Sequence, residues 1–133
     1  MLSYIYLASP YSHKNPSVRQ LRHNFAAVAV AALMRKQAIV FSPILHDHDL
    51  AQRCMLPTNF PFWQKHSQVF IYHSAEVYIL CINGVAKSEG VAAERRYAED
   101  EGIPVRYIEF NDLGKLEVKF ITQKEARSKW NAP

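Results

Sequence analysis

Glu76-Val77-Tyr78-Ile79-Leu80-Cys81-Ile82, then Asn83-Gly84-Val85-Ala86-Lys87, then Ser88-Glu89-Gly90-Val91-Ala92-Ala93-Glu94 form one continuous stretch. The short apolar run reads as a strand covered on both faces. Ser88 reads as the N-cap of a helix, because its oxygen can accept an N–H that the first turn leaves unpaired. A buried strand that passes through a brief turn into a helix is the unit of a parallel α/β sheet. The free N–H groups and the helix dipole at Ser88 favour a phosphate or carboxylate nearby. At about 100° per residue, Val91, Glu94, Tyr97 and Ala98 share one stripe of roughly 120°, whereas Arg95, Arg96, Glu99 and Asp100 point elsewhere. Glu94 is therefore expected on the buried face, where a carboxylate is costly unless it is paired or used, and where its pKa is perturbed. The other reading of the same spacing is a Glu at the stripe edge that reaches solvent.

Outward from this stretch, strands and helices alternate. Ser3 to Ser9 reads as a first strand, stopped by Pro10, and Pro16 suits the first turn of a helix running to about Gln37. Leu21, Phe25, Val28, Ala29, Ala32 and Leu33 form its apolar stripe. Ala38 to Ser42, ended by Pro43, reads as a second strand whose unbroken apolar run predicts a place inside the sheet. Residues 44 to 61 carry little periodicity and include Pro57, Asn59 and Pro61, so they read as a long connection of the kind that closes over a site. Phe62 to about His73 reads as a helix, Glu76 to Ile82 as the third strand, Ser88 to Glu101 as the next helix with Gly102 ending it, and Pro104 to Phe110 as the fourth strand. After the turn Asn111-Asp112-Leu113-Gly114, Leu116 to Ile121 reads as a fifth strand. Gln123 to Pro133 is either a short helix or a tail that docks on a neighbouring subunit through Trp130. With right-handed crossovers, the expected fold is one three-layer α/β domain over residues 1–133, flavodoxin- or Rossmann-like, with a mainly parallel five-stranded sheet in the order 2-1-3-4-5.

The totals narrow the function. A chain of 133 residues supports one core. Its net charge of +4, from 16 basic and 12 acidic residues, is spread without a run that could track a nucleic-acid polymer, which leaves mild attraction for small anions. Cys54 and Cys81 stand apart in different elements, so neither a disulfide framework nor a zinc knuckle is indicated. With no export signal and no apolar span of about 20 residues, a reducing cytoplasm and no membrane partner are expected.

Ligands of such folds bind where the strand order reverses, beyond the carboxyl ends of the first and third strands. Those ends carry Ser9, Tyr11 and Ser12, and Asn83, beside the helix that opens at Ser88 and Gly90. Tyr11, at a strand end next to a proline, is a candidate for contact with a base or sugar. Phe62 and Trp63 read as core before base-stacking platform. Lys87 is a solvated loop lysine or a phosphate contact. In His46-Asp47-His48, two histidines flanking an aspartate could ligate a divalent metal on an extended segment, but no third ligand at helical spacing is visible. His46 and His48 read instead as pocket-lining groups or partners of loop carbonyls, with no metal.

Tyr6-Leu7-Ala8-Ser9-Pro10-Tyr11 ending the first strand, Phe41-Ser42-Pro43 ending the second, and Ser88-x-Gly90-Val91-x-x-Glu94 after the third resemble the nucleoside 2-deoxyribosyltransferase superfamily over roughly residues 4 to 108. The resemblance implies that Glu94 is a nucleophile that attacks the anomeric carbon of a nucleoside, and that the glycosyl-enzyme is then resolved by water or another base without a cofactor. It implies that Tyr6 orients this nucleophile. It also implies a homodimer that completes each site across its interface. Six residues before the Glu, relatives acting on free nucleosides tend to carry an Asp, and the N-glycosidases of nucleoside 5′-monophosphates a Ser; Ser88 matches the second branch. Where the family carries an Asp for proton transfer with the base, about eight residues before Glu76, this chain has Gln68, which cannot act as an acid; His66, near in sequence, or the His46-Asp47-His48 cluster entering from the loop are the candidates for that role. Where relatives often place an Arg after the first strand, it offers Ser12 and His13, with Lys14, Arg19 and Arg22 further on. The leading expectation is a nucleotide N-glycosidase or base-exchange enzyme. The alternatives are a catalytically idle nucleotide sensor or sink, and a metal-dependent phosphohydrolase built on His46, Asp47 and His48.

Overall fold

The computed structural model describes residues 2–111 and 116–133. Five strands, β1 (Ile5–Ala8), β2 (Val40–Phe41), β3 (Glu76–Leu80), β4 (Val105–Phe110) and β5 (Val118–Ile121), alternate with α1 (Pro16–Arg35), α2 (Pro43–Cys54), α3 (Phe60–Tyr72), α4 (Glu89–Asp100) and α5 (Gln123–Trp130). The sheet order is β2-β1-β3-β4-β5, parallel except for β5, which runs antiparallel to β4. This is the expected α/β architecture. The segment Asp112-Leu113-Gly114 of the expected turn lies outside the described residues.

Strand alternation sorts the core into two layers. Tyr6, Ala8, Val77, Ile79 and Cys81 face one side, packed with Ile71 of α3, Val91 and Ala98 of α4 and Ala126 of α5. Leu7, Tyr78, Leu80 and Ile82 face the other, where Ala29, Val30, Ala32 and Leu33 of α1 cover them.

Three expectations need correction. β2 lies at the sheet edge, not inside it, and is two residues long. Ser42 is already the N-cap of α2 and Pro43 has no N–H to give a ladder, so the strand stops early; a short edge also leaves little open ladder for another chain. Most of residues 44 to 61 is helix, not loop. The apolar stripe of α1 is buried only in its second half, with Leu21 and Phe25 largely exposed. Twenty residues of helix span about 30 Å, whereas strands of four to six residues span about 13 to 20 Å, so the first half of α1 overhangs the carboxyl edge of the sheet.

The C-terminal segment folds as a helix on its own sheet. A capping box between Thr122 and Glu125 starts α5, Ala126 and Ala132 are buried, and Trp130 donates its indole N–H to Glu109 at 3.1 Å. Trp130 therefore has a core partner within the chain and gives no signal of a second subunit. Among the described residues, no helix is long and apolar enough to cross a membrane.

Gly84 holds the turn after β3 at φ +99°, and a Cβ there would sit 2.2 Å from an Arg22 guanidinium nitrogen. Arg22 in turn donates to the carbonyls of Tyr11 and Ser12. Gly102, at φ +71°, has open space around it. Both Gly→Ala changes should carry the left-handed penalty of about 1–2 kcal/mol. Gly84→Ala should cost about 1 kcal/mol more in urea denaturation, because it also drives Arg22 off its carbonyls. Equal losses would mean that Arg22 yields freely.

Candidate active site

The site is built on the inward alternation of β1. Tyr6 stands level with Val77 of β3, fully buried on the α3 and α4 side. Its hydroxyl donates to Oε2 of Glu94, two turns into α4. Glu94 is 6% exposed, so the inward phase read from α4 holds and the solvent-reaching alternative does not. The Glu94 carboxyl is raised to about 7, pushed up chiefly by burial against the hydrogen bonds from Tyr6 and Ser67, which lower it, with the charge of Asp47 adding to the rise. Burial, then the Glu94 charge, holds the Tyr6 phenol well above its ordinary value, so it stays a donor at neutral pH.

Above this pair lies a cavity of about 300 Å³, at the lower end of the range for small-molecule sites. Ser9, Tyr11, Ser12, His48, Ser88 and Gly90 line it together with Glu94, as expected. The Ser9 hydroxyl is buried and finds no partner among the described residues. Ser12 donates to the Thr58 carbonyl at 2.9 Å and so ties the β1–α1 loop to the α2–α3 loop. Tyr11 meets His48 Nδ1 at 2.5 Å, and His48 Nε2 meets Gln20 Oε1 at 3.1 Å. A carbonyl oxygen only accepts, so Nε2 carries the hydrogen and Nδ1 accepts from the phenol. Burial lowers the His48 pKa, which favours this neutral form. With both nitrogens engaged, His48 orients Tyr11.

Ser88 is the N-cap of α4, its Oγ accepting from Val91 N–H at 3.1 Å. The N–H groups of Glu89 and Gly90, which have no acceptor within the helix, remain at the cavity with the Ser88 O–H. Gly90 also has a packing role. A Cβ there would meet the Phe60 ring at 3.0 Å, so glycine lets the first turns of α3 and α4 approach closely.

Two expected site residues lie elsewhere. Asn83 is absent from this cavity and lines another, with Arg22, Phe25 and Trp130, because β3 ends at Leu80 and Asn83 stands beyond it in the following turn. His46 is outside the cavity and stacks on His66, with ring centroids 5.7 Å apart. The reason is that 46–48 is helix and not extended: neighbours two apart diverge by about 200°, so His46 and His48 do not converge. The residue between them turns inward, and Asp47 is 7% exposed and lines the cavity.

Ser67 and Trp63 are lining residues that the sequence reading left out of the site or assigned to core, and Asp47 is one that it weighed only within the His46-Asp47-His48 cluster. For Asp47 a signal existed. Ser42 before Pro43 is a helix start, and from there Pro43, Asp47 and Ala51 fall four apart on one buried face. Ser67 follows similarly from Ile71, four residues on, the other buried position of α3. Gln68 is partly buried and does not line the cavity. Trp63 donates its indole N–H to the Pro57 carbonyl at 2.8 Å while its ring lines the cavity. Among the described residues there is no group of three or more that could hold a metal ion.

Residues 3–110 match a family model described as a domain of unknown function, DUF1937. No curated protein matches the chain.

The Glu94 environment has a signature in stability. Folding raises its pKa from 4.5 to about 7, so the folded chain binds a proton that the unfolded chain releases. The stability this proton provides is complete below pH 4.5 and is lost as pH rises through 7, by about 3 kcal/mol as an order of magnitude. Glu94→Gln does not titrate. Its stability relative to wild type, from guanidinium denaturation, should therefore rise between pH 5 and pH 8, and a constant difference would contradict the raised pKa.

Proposed function

The chain belongs to the DUF1937 family, and from its site we propose that it is an N-glycosidase or deoxyribosyltransferase of nucleoside 5′-monophosphates, working through a covalent glycosyl-Glu94. The observation that carries this reading is the buried Glu94 carboxyl, held by the Tyr6 phenol, at a cavity whose rim is the N-terminus of α4. A carboxylate suits an oxocarbenium-like centre, which it first stabilises and then joins, dividing one difficult displacement into two. Tyr6 leaves Oε1 to attack. Water or a second base then takes the sugar from Glu94.

The rim supports a 5′-phosphate. Val91 N–H is committed to the N-cap, which leaves the N–H groups of Glu89 and Gly90, the Ser88 hydroxyl and the neighbouring Lys87 as donors to an anion. The unpartnered Ser9 hydroxyl suits a sugar hydroxyl. The same reading includes a homodimer, in keeping with the exposed Phe62, Val69 and Tyr72 along α3.

Glu94→Gln should keep nucleotide binding and abolish release of free base from a 2′-deoxynucleoside 5′-monophosphate, with a covalent adduct on Glu94 trapped in wild type by a 2-fluoro analogue under denaturing mass spectrometry. Turnover in the variant at the wild-type rate would overturn the assignment. Tight binding by wild type without any base release would instead identify a nucleotide sensor.

Ser88→Asp preserves a good N-cap and so the fold, but sets a like charge against the phosphate. Nucleotide affinity should fall at least about tenfold, or 1.4 kcal/mol, while nucleoside binding is maintained or improved. Calorimetric titration with both ligands reads this directly, and an unchanged preference would move the phosphate away from Ser88.

A further inference from the structure

Glycosyl transfer leaves one requirement unmet by Glu94 and Tyr6. When C1′–N cleaves, the electron pair goes to the base, and most nucleobases leave readily only if they gain a proton. Gln68 has no proton of the required acidity and lies off the cavity. Tyr6 is committed to Glu94 beneath it.

We infer that Asp47 is the acid that protonates the departing base, an inference that rests on the glycosyl-transfer reading of the site. Asp47 is the second carboxyl in the lining at burial comparable to Glu94, the third acidic lining residue, Glu89, being exposed. It sits in the second turn of α2, on the Pro43–Asp47–Ala51 face, so a helix and not a loop sets its position. His46 Nδ1 lies 2.8 Å from its Oδ1, an arrangement that holds the carboxyl and leaves Oδ2 to carry the proton. His46 is about half exposed and stacks on His66, so the pair connects the buried carboxyl to solvent.

The surroundings agree with this role. Burial raises the Asp47 pKa, against the lowering effect of His46 and His66, and the charge of Asp47 in turn raises that of Glu94. Two carboxyls sharing one desolvated cavity resist ionising together, so near neutrality the pair tends to hold one proton. Glu94, the more strongly raised of the two, holds that proton at rest; transferred to Asp47, it leaves Glu94 as the free carboxylate that reacts. In the forward step a Glu94 oxygen bonds to C1′, the C1′–N bond breaks with its electrons on the base, and the Asp47 proton moves to the base. Asp47 is left as the carboxylate. In the second step it accepts a proton from the attacking water, the C1′–O bond to Glu94 breaks, and both carboxyls return to their starting forms.

The test compares two substrates on wild type, Asp47→Asn and Glu94→Gln: a 2′-deoxynucleoside 5′-monophosphate, and the 4-nitrophenyl glycoside of 2-deoxyribose 5-phosphate, whose phenolate departs without a proton. Asp47→Asn should be slowed roughly a hundredfold or more on the nucleotide, and should stay within about threefold of wild type on the nitrophenyl glycoside. The ratio is taken within one protein, so any loss of folded fraction cancels. Equal slowing on both substrates, or an undiminished nucleotide rate, would overturn the role of Asp47 and leave the glycosyl-transfer reading standing if Glu94→Gln is inactive on both. Glu94→Gln cleaving both at the wild-type rate would remove that reading, and the role of Asp47 with it.

Discussion

The hydrogen bond from Tyr6 to Glu94 joins β1 to α4 inside the apolar layer, and much of the local architecture follows from keeping it there. A carboxyl in that layer opposes folding when ionised, because burial strips its solvation, and two hydroxyls compensate only in part. The compensation has strict geometric terms. Tyr6 must alternate inward, α4 must turn Glu94 to the same face, and Ser67 of α3 must come close beside both. Gly90 belongs to the same constraint, since its missing side chain lets Phe60 seat α3 against α4. An apolar residue at 94 would satisfy packing more cheaply. The polar pair is the costlier choice for packing, and it opens onto the cavity.

The rim above is held by small, local devices that reinforce one another. Asn15, Ser42, Asn59 and Ser88 each cap a helix with a side-chain oxygen, and a proline follows closely in the first three, so these helix starts are set by short-range chemistry. The overhanging half of α1 then finds a use. Arg22 on that half holds the carbonyls of Tyr11 and Ser12, and Gln20 anchors His48, which fixes the Tyr11 hydroxyl. Ser12 closes the ring of loops on Thr58. Tyr11, Ser12 and His48 thus reach the cavity already held by partners and need little rearrangement on binding, which favours precise positioning of a ligand.

Periodicity carried the architecture well because it is a local property. Alternation of strand and helix, handed crossovers and the apolar face of α4 lead to the 2-1-3-4-5 sheet and an inward Glu94, and both are present. Periodicity failed on residues 44 to 61, where the polar sequence of α2 conceals a helix that its cap and proline announce. That single misreading misdirected the His46-Asp47-His48 cluster, since an extended segment pairs 46 with 48 and a helix separates them. Asn83 went astray for another reason. The end of a parallel strand points toward the site, but β3 stops at Leu80, and Asn83 stands three residues beyond it in a turn, where it lines the neighbouring cavity.

What the sequence determined by itself is whatever depends on neighbours within a few residues: the strands, the caps, the phase of α4, and the identity of a serine and a carboxylate six apart at a helix start. Which groups meet across the fold was decided only in three dimensions. Tyr6 and Glu94 are 88 residues apart, and Tyr11 and His48 are 37 apart. Their contacts depend on register, on helix overhang and on the turn at Gly84, each a small geometric quantity summed over many residues. Whether Asp47 or its flanking histidines face the cavity likewise depends on about 100° of helix rotation per residue. That rotation is set by the packing of α2 against its neighbours and not by the three residues themselves.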